Sequence, residues 1–142
     1  MADRIANVSW SGSLIEGSGT IERVGSGAFG PLEVSWAARA EDSDGRTSPE
    51  ELIAAAHATC FSMALSHGLA QAGMPADRLE SSATVTFVPG TGITKIALSV
   101  RGSVPGMDEA AFGAAAQAAK ENCPVSKALA AVPEITLDAS LS

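Results

Sequence analysis

From Leu52 to Leu65 the chain reads Leu-Ile-Ala-Ala-Ala-His-Ala-Thr-Cys-Phe-Ser-Met-Ala-Leu, fourteen residues without a formal charge at neutral pH. Ser48-Pro49-Glu50-Glu51 stands just before it. That order places a hydroxyl at an N-cap, proline at the first helical position and glutamate at N3, the capping-box arrangement that starts a helix. The spacing predicts a helix from there to about Ala72, where Gly73 and Pro75 stop it. A helix that is apolar on nearly every face has to be wrapped rather than laid on a surface. No other feature narrows the choice of fold so far.

The remaining segments are mostly strands. Asn7-Val-Ser-Trp-Ser and Gly19-Thr-Ile-Glu-Arg-Val read as two strands around a Gly/Ser-rich turn. Leu32 to Ala40 reads as a third, with Val34, Trp36 and Ala38 on one face and Ser35, Ala37 and Arg39 on the other. Ser82–Val88 and Gly92–Val100 form a pair joined by Pro89-Gly90-Thr91. A second helix covers Asp108–Glu121, Asn122-Cys123-Pro124 breaks it, and a short helical stretch runs to about Ala131 before a last strand, Pro133–Leu141. Strands flank the helices instead of alternating with them, which predicts an α+β fold with antiparallel sheet. With 142 residues, no linker and no repeat, the chain is expected to form one domain, 1–142.

Charge and composition exclude several function classes. Nine Lys and Arg face sixteen Asp and Glu, and the net charge of −7 opposes both a phosphate backbone and an anionic membrane surface. An apolar content of 46% excludes a disordered chain. The apolar stretch is too short and too polar to span a bilayer. The amino end, Met1-Ala-Asp-Arg-Ile-Ala-Asn, lacks the positive-then-apolar order of an export signal, so the expected location is the cytoplasm. There, two cysteines point to thiol chemistry before a structural staple.

Gly25-Ser-Gly-Ala-Phe-Gly30 spells G-x-G-x-x-G, but Pro31 and an alternating strand follow where a dinucleotide site needs a helix, so it reads as a flexible loop. His57, Cys60 and His67 fall short of a four-ligand zinc set, and ten residues separate the histidines, about 15 Å along a straight helix. No metal and no cofactor is expected. His57 and Cys60 are i, i+3 neighbours, yet without a third orienting group His57 reads as a packed helix residue in preference to half of a Cys–His hydrolase pair. By local rules Cys123, at a helix start, is the more reactive thiol, and Cys60, within the apolar run, needs an imported positive charge. Arg39 is the candidate for that charge. Glu51 serves the capping box, which leaves Glu50 free for another task.

Ser48-Pro-Glu-Glu-Leu-Ile-Ala-Ala-Ala-His-Ala-Thr-Cys60-Phe-Ser-Met-Ala-Leu and Asn122-Cys123-Pro-Val-Ser-Lys-Ala-Leu together resemble the OsmC/Ohr family of organic hydroperoxide reductases. The resemblance runs from Trp10 through Arg39 to Glu134-Ile-Thr-Leu-Asp. Ile93-Thr-Lys-Ile-Ala-Leu and Ala-Ala-His-Ala place it nearer the OsmC branch. One departure is Ser48, where the family usually has asparagine before Pro-Glu; serine caps a helix equally well.

The resemblance implies an intertwined homodimer in which antiparallel sheets wrap long central helices, with two sites at the interface. It implies Cys60 as the peroxidatic thiol and Cys123 as the resolving one, with Arg39 and Glu50 activating Cys60, at least partly across that interface. The implied reaction reduces organic hydroperoxides to alcohols through a Cys60 sulfenic acid and a Cys60–Cys123 disulfide. A dithiol, in this family a lipoyl-bearing protein, would restore the thiols. Phe29, Phe61 and Met63 are candidates for an apolar pocket, with core packing as their competing role. The alternative is a stress or small-molecule binding protein of the same family without turnover.

Overall fold

The computed structural model describes residues 1–142, which divide into two compact units, Met1–Leu52 and Ile53–Ser142. In the first unit, strands β1 (Ala6–Ser11), β2 (Ser18–Val24) and β3 (Leu32–Val34) form an antiparallel sheet in that order. Trp10 pairs with Gly19 across the ladder, and a Cβ on Gly19 would meet the Trp10 ring at 2.6 Å. Glycine there lets the indole lie down on the sheet.

The strand expected over Leu32–Ala40 stops at Val34, and Trp36–Ala40 forms a short helix, α1. Ser35 adopts an extended conformation and its Oγ accepts the Ala38 N–H at 3.1 Å, which caps the helix. Three alternating apolar positions suggested a strand, but a serine cap followed by Ala-Ala-Arg-Ala favours a helical turn, and that preference prevails. Arg39 therefore sits in the last turn of a helix, where a cation suits the dipole, and not at a strand end.

Helix α2 (Pro49–Gln71) begins in the first unit and continues in the second. Its start keeps half of the expected capping box: Ser48 Oγ accepts the Glu51 N–H at 3.2 Å, while the Glu51 carboxylate accepts from the Thr47 hydroxyl at 3.0 Å. At its end Gly73, at φ +77°, donates to Ala70 O and Met74 donates to Leu69 O. This paired closure needs a left-handed residue, which glycine supplies.

In the second unit, β4 (Arg78–Val88), β5 (Gly92–Ser103) and β6 (Glu134–Leu141) form a sheet with β5 in the middle. β4 and β5 are antiparallel, but β6 runs parallel to β5, so this sheet is mixed and not purely antiparallel as expected. Parallel neighbours require a crossover of a dozen or more residues. The helices α3 (Glu109–Asn122) and α4 (Pro124–Ala128) supply it between Ser103 and Glu134. The core joins Phe61, Leu65 and Leu69 of α2 to Ile96, Leu98 and Val100 of β5 and to Phe112, Ala116 and Ala119 of α3. A Cβ on Gly102 would meet the Phe112 ring at 2.5 Å, so glycine sets how closely α3 approaches β5.

By length and composition α2 is long and apolar enough to cross a bilayer, which the fourteen-residue window understates. Beyond Glu50 in its first turn, its buried positions form a single stripe, His57, Phe61, Leu65 and Leu69, at four-residue spacing, and the three apolar ones pack into the core with its own sheet. On the opposite face Thr59, Ser66, His67 and Ala70 are exposed and Met63 is 69% exposed. Within one chain, then, the helix is covered on one side and not wrapped.

Candidate active site

In the first unit α1 and the start of α2 bring Arg39 and Glu50 together. Arg39 Nε donates to Glu50 Oε1 at 2.9 Å and to Oε2 at 3.2 Å, and Nη2 donates to Oε1 at 2.8 Å. The carboxylate is 6% exposed. This multidentate, charge-assisted pairing fixes the plane of the guanidinium more firmly than a single contact would. Arg39 also borders a cavity of about 300 Å3 walled by Trp10, Ile21, Val34, Trp36 and Leu52. None of the three residues expected to line a pocket is there: Phe61 is fully buried in the core, and Phe29 and Met63 are exposed. Trp10 was legible as a strand residue and Trp36 was misread as one, and neither gave a sign that it walls a cavity.

In the second unit the chain brings its two cysteines together. Cys60 is half-buried on α2, Cys123 is fully buried at the break between α3 and α4, and both are free thiols. Pro124 makes the break, because it starts a helix readily and cannot continue one. Burial pushes the Cys60 thiol up, and a hydrogen bond with Cys123 pushes it further, against a lowering from the Val125 amide. Burial also works against the Cys123 anion, but the Cys60 thiol, the amide and hydroxyl of Ser126 and the Val125 amide beside it outweigh that cost. Cys123 ends below the ordinary thiol range. The two shifts run in the same direction as the ranking expected from local rules, with Cys123 the more acidic thiol within one chain.

Ser126, which the sequence reading passed over, links this pair to His57. His57 is fully buried, and its Nε2 lies 2.7 Å from Ser126 Oγ. The available signal was spacing: Ser126 follows Cys123 by three residues, less than a helical turn. The reading of His57 as a packed helix residue agrees with its burial.

Burial also holds the His57 imidazole below its ordinary value of 6.5. The unfolded chain takes up a proton near that value, whereas the folded chain takes it up only at lower pH. Stability contributed above 6.5 is therefore lost as pH falls toward the depressed folded value. The urea midpoint is expected to drop between about pH 7 and about pH 5.5, and to drop less in His57→Gln. An identical acid slope in that variant would assign the loss to other groups.

His67 is exposed, and no three His, Cys, Asp or Glu side chains gather in a cluster that could hold a metal ion. Gly25–Gly30 leads through Pro31 into β3, so the glycines open a strand and not a phosphate-binding helix.

Residues 41–138 match the family described as OsmC-like protein. The chain is 44% identical over 135 residues to the peroxiredoxin OsmC of Escherichia coli, covering 93% of this chain and 92% of that protein. Solved structures share the fold. An organic hydroperoxide resistance protein OsmC from Legionella pneumophila superposes with a TM-score of 0.67 at 22% identity, covering 97% of this chain and 96% of that one. The organic hydroperoxide resistance protein OhrB of Bacillus subtilis gives 0.64 at 25% identity, covering 97% and 98%.

Proposed function

This chain belongs to the OsmC-like family, and from that premise we propose that it is a thiol-dependent peroxidase that reduces organic hydroperoxides to alcohols. One observation carries the reading: Cys60 and Cys123, 63 positions apart in sequence, lie close enough that each shifts the other's thiol. Two partly or fully buried thiols in that relation are poised to exchange a sulfenic acid for a disulfide.

Cys60 is the attacking thiol, because it is the more accessible of the two. Its proton has to be displaced first, and Arg39, oriented by Glu50, supplies the cation that favours the thiolate. The thiolate attacks the terminal peroxide oxygen, the O–O bond breaks, and the departing alkoxide takes a proton to leave as alcohol. Cys60 becomes a sulfenic acid. Cys123 condenses with it, water departs, and the disulfide protects Cys60 from irreversible oxidation. A dithiol, in our reading a lipoyl-bearing protein, then reduces the disulfide by exchange. The apolar cavity beside Arg39 favours an organic tail over bare hydrogen peroxide, since binding there buries carbon.

A homodimer completes the reading. The exposed face of α2, with Met63 at its centre, is the surface a second copy would cover, and the pair would act as one OsmC-like domain per chain in the cytoplasm. A second reading is favoured by the raised Cys60 thiol: a stress or small-molecule binding protein whose thiols do not turn over. Mass spectrometry after one equivalent of cumene hydroperoxide separates the two. The peroxidase reading expects a Cys60–Cys123 linked peptide. Recovery of both cysteines as free thiols would overturn it in favour of the binding protein.

A further inference from the structure

The peroxidase reading uses Cys60, Cys123, Arg39 and Glu50 and leaves unemployed a polar pair of one buried and one half-buried side chain. His57 is fully buried on α2, with Nε2 at 2.7 Å from Ser126 Oγ and Nδ1 without a hydrogen-bond partner. Ser126, three residues further along the chain, lies beside Cys123, and Cys123 in turn lies beside Cys60. The four side chains form one row, His57, Ser126, Cys123 and Cys60.

Proton counting fixes the direction of the row. The serine hydroxyl has one proton to donate. If that proton goes to the Cys123 sulfur, Ser126 Oγ has to accept from His57, so Nε2 carries the imidazole proton. The bare Nδ1 is then a lone pair without a donor, which costs less in a buried site than an orphaned N–H would. Burial keeps the ring neutral, as this tautomer requires. With that tautomer, every donor in the row is free to point toward Cys123.

We infer that Ser126, held in place by His57, is a positioning residue that readies Cys123 to close the disulfide on Cys60. The chemistry of this inference rests on the peroxidase reading; the placement of the four side chains does not. When Cys60 carries a sulfenic acid, Arg39 no longer has a Cys60 anion to stabilise, and the next nucleophile is Cys123. The Cys123 thiolate attacks Cys60 Sγ, the S–S bond forms and the S–O bond breaks. Cys123 sulfur is oxidised and Cys60 sulfur reduced, while the departing hydroxide takes a proton from solvent to become water. The Ser126 hydroxyl holds the thiolate in line for that attack and releases it as the charge disappears.

The titratable groups facing Cys123 are Cys60 and, one hydrogen bond further, His57, both on α2. On α3 and α4, Glu121 and Lys127 are exposed and Lys120 is half-buried, and none of them shifts Cys123.

Two measurements test the role. In a Cys60→Ser background the ultraviolet absorbance of the Cys123 thiolate is titrated with and without Ser126→Ala. Loss of a hydrogen bond to a charged acceptor is expected to raise the midpoint by about one pH unit, a tenfold change in thiolate population. In the chain with both cysteines, disulfide formation is timed by quenching and mass spectrometry after one equivalent of cumene hydroperoxide. Ser126→Ala is expected to close the disulfide about tenfold more slowly near neutral pH and to recover at higher pH, whereas Ser126→Thr keeps the hydroxyl and the rate. His57→Phe, which fills the space without a donor, should show part of the Ser126→Ala effect. A Ser126→Ala protein that matches its parent in both midpoint and closure rate overturns the inference. A shifted midpoint in a protein whose parent ignores the hydroperoxide would leave the hold on Cys123 standing and remove the peroxidase reading alone.

Discussion

Cys60→Ser is expected to lose consumption of organic hydroperoxide by more than about a thousandfold, the scale on which removal of an attacking nucleophile acts. Cys123→Ser is expected to behave differently. Its first equivalent of hydroperoxide is expected to be consumed at close to the parent rate, because O–O cleavage in the proposed mechanism involves only the Cys60 sulfur. The sulfenic acid then has no partner, and a second equivalent carries Cys60 to the sulfinic acid, which thiols do not reverse. Stopped-time hydroperoxide assays with intact-mass measurement follow both variants. Normal turnover by Cys60→Ser would end the assignment.

The reverse pattern is also informative, since Cys123 has the lower thiol pKa within one chain. A silent Cys123→Ser beside a Cys60→Ser that is oxidised once would make Cys123 the attacking sulfur. Exposure argues against that exchange of roles. Cys123 is fully buried whereas Cys60 is partly open, and a bulky hydroperoxide has to reach the sulfur it meets first.

How far such roles were legible depended on the kind of signal. Ser48-Pro49 and Gly73 marked both ends of α2 to within about a residue, because capping and left-handed backbone are local requirements that a sequence states outright. The Leu32–Ala40 segment misled because alternation over three positions is a weak pattern beside a serine cap, and only the capped form shows where Arg39 lies. The parallel pairing of β6 with β5 was invisible for another reason. Strand direction is set by the length and course of the crossover, not by the composition of either strand. The cysteine pair was named by resemblance, and its proximity is a tertiary fact that no local rule carries. Ser126 escaped notice because a serine inside a short helix is ordinary until a histidine 69 positions away is seen to hold it.

The ion pair of Arg39 and Glu50 separates structure from catalysis most sharply. Arg39→Met leaves a carboxylate that is 8% exposed at the side chain without its guanidinium. Because the Arg39 side chain is 32% exposed, solvent relieves part of that loss, and we expect destabilisation of about 2–3 kcal/mol, below the range for a wholly buried pair. At this chain length the melting temperature should fall by roughly 5–10 °C. Arg39→Lys should recover part of the stability, since an ammonium keeps the charge but cannot reproduce the three-bond contact. The double variant Arg39→Met with Glu50→Leu removes both polar groups at once, leaves no orphaned carboxylate, and should be more stable than Arg39→Met alone. Turnover is expected to follow the opposite course. If Arg39 is the cation that makes Cys60 a thiolate, the double variant stays at least about a hundredfold slow however well it folds. Restored stability with restored hydroperoxide consumption would reduce the pair to a structural clasp, and the cation for Cys60 would have to be sought elsewhere.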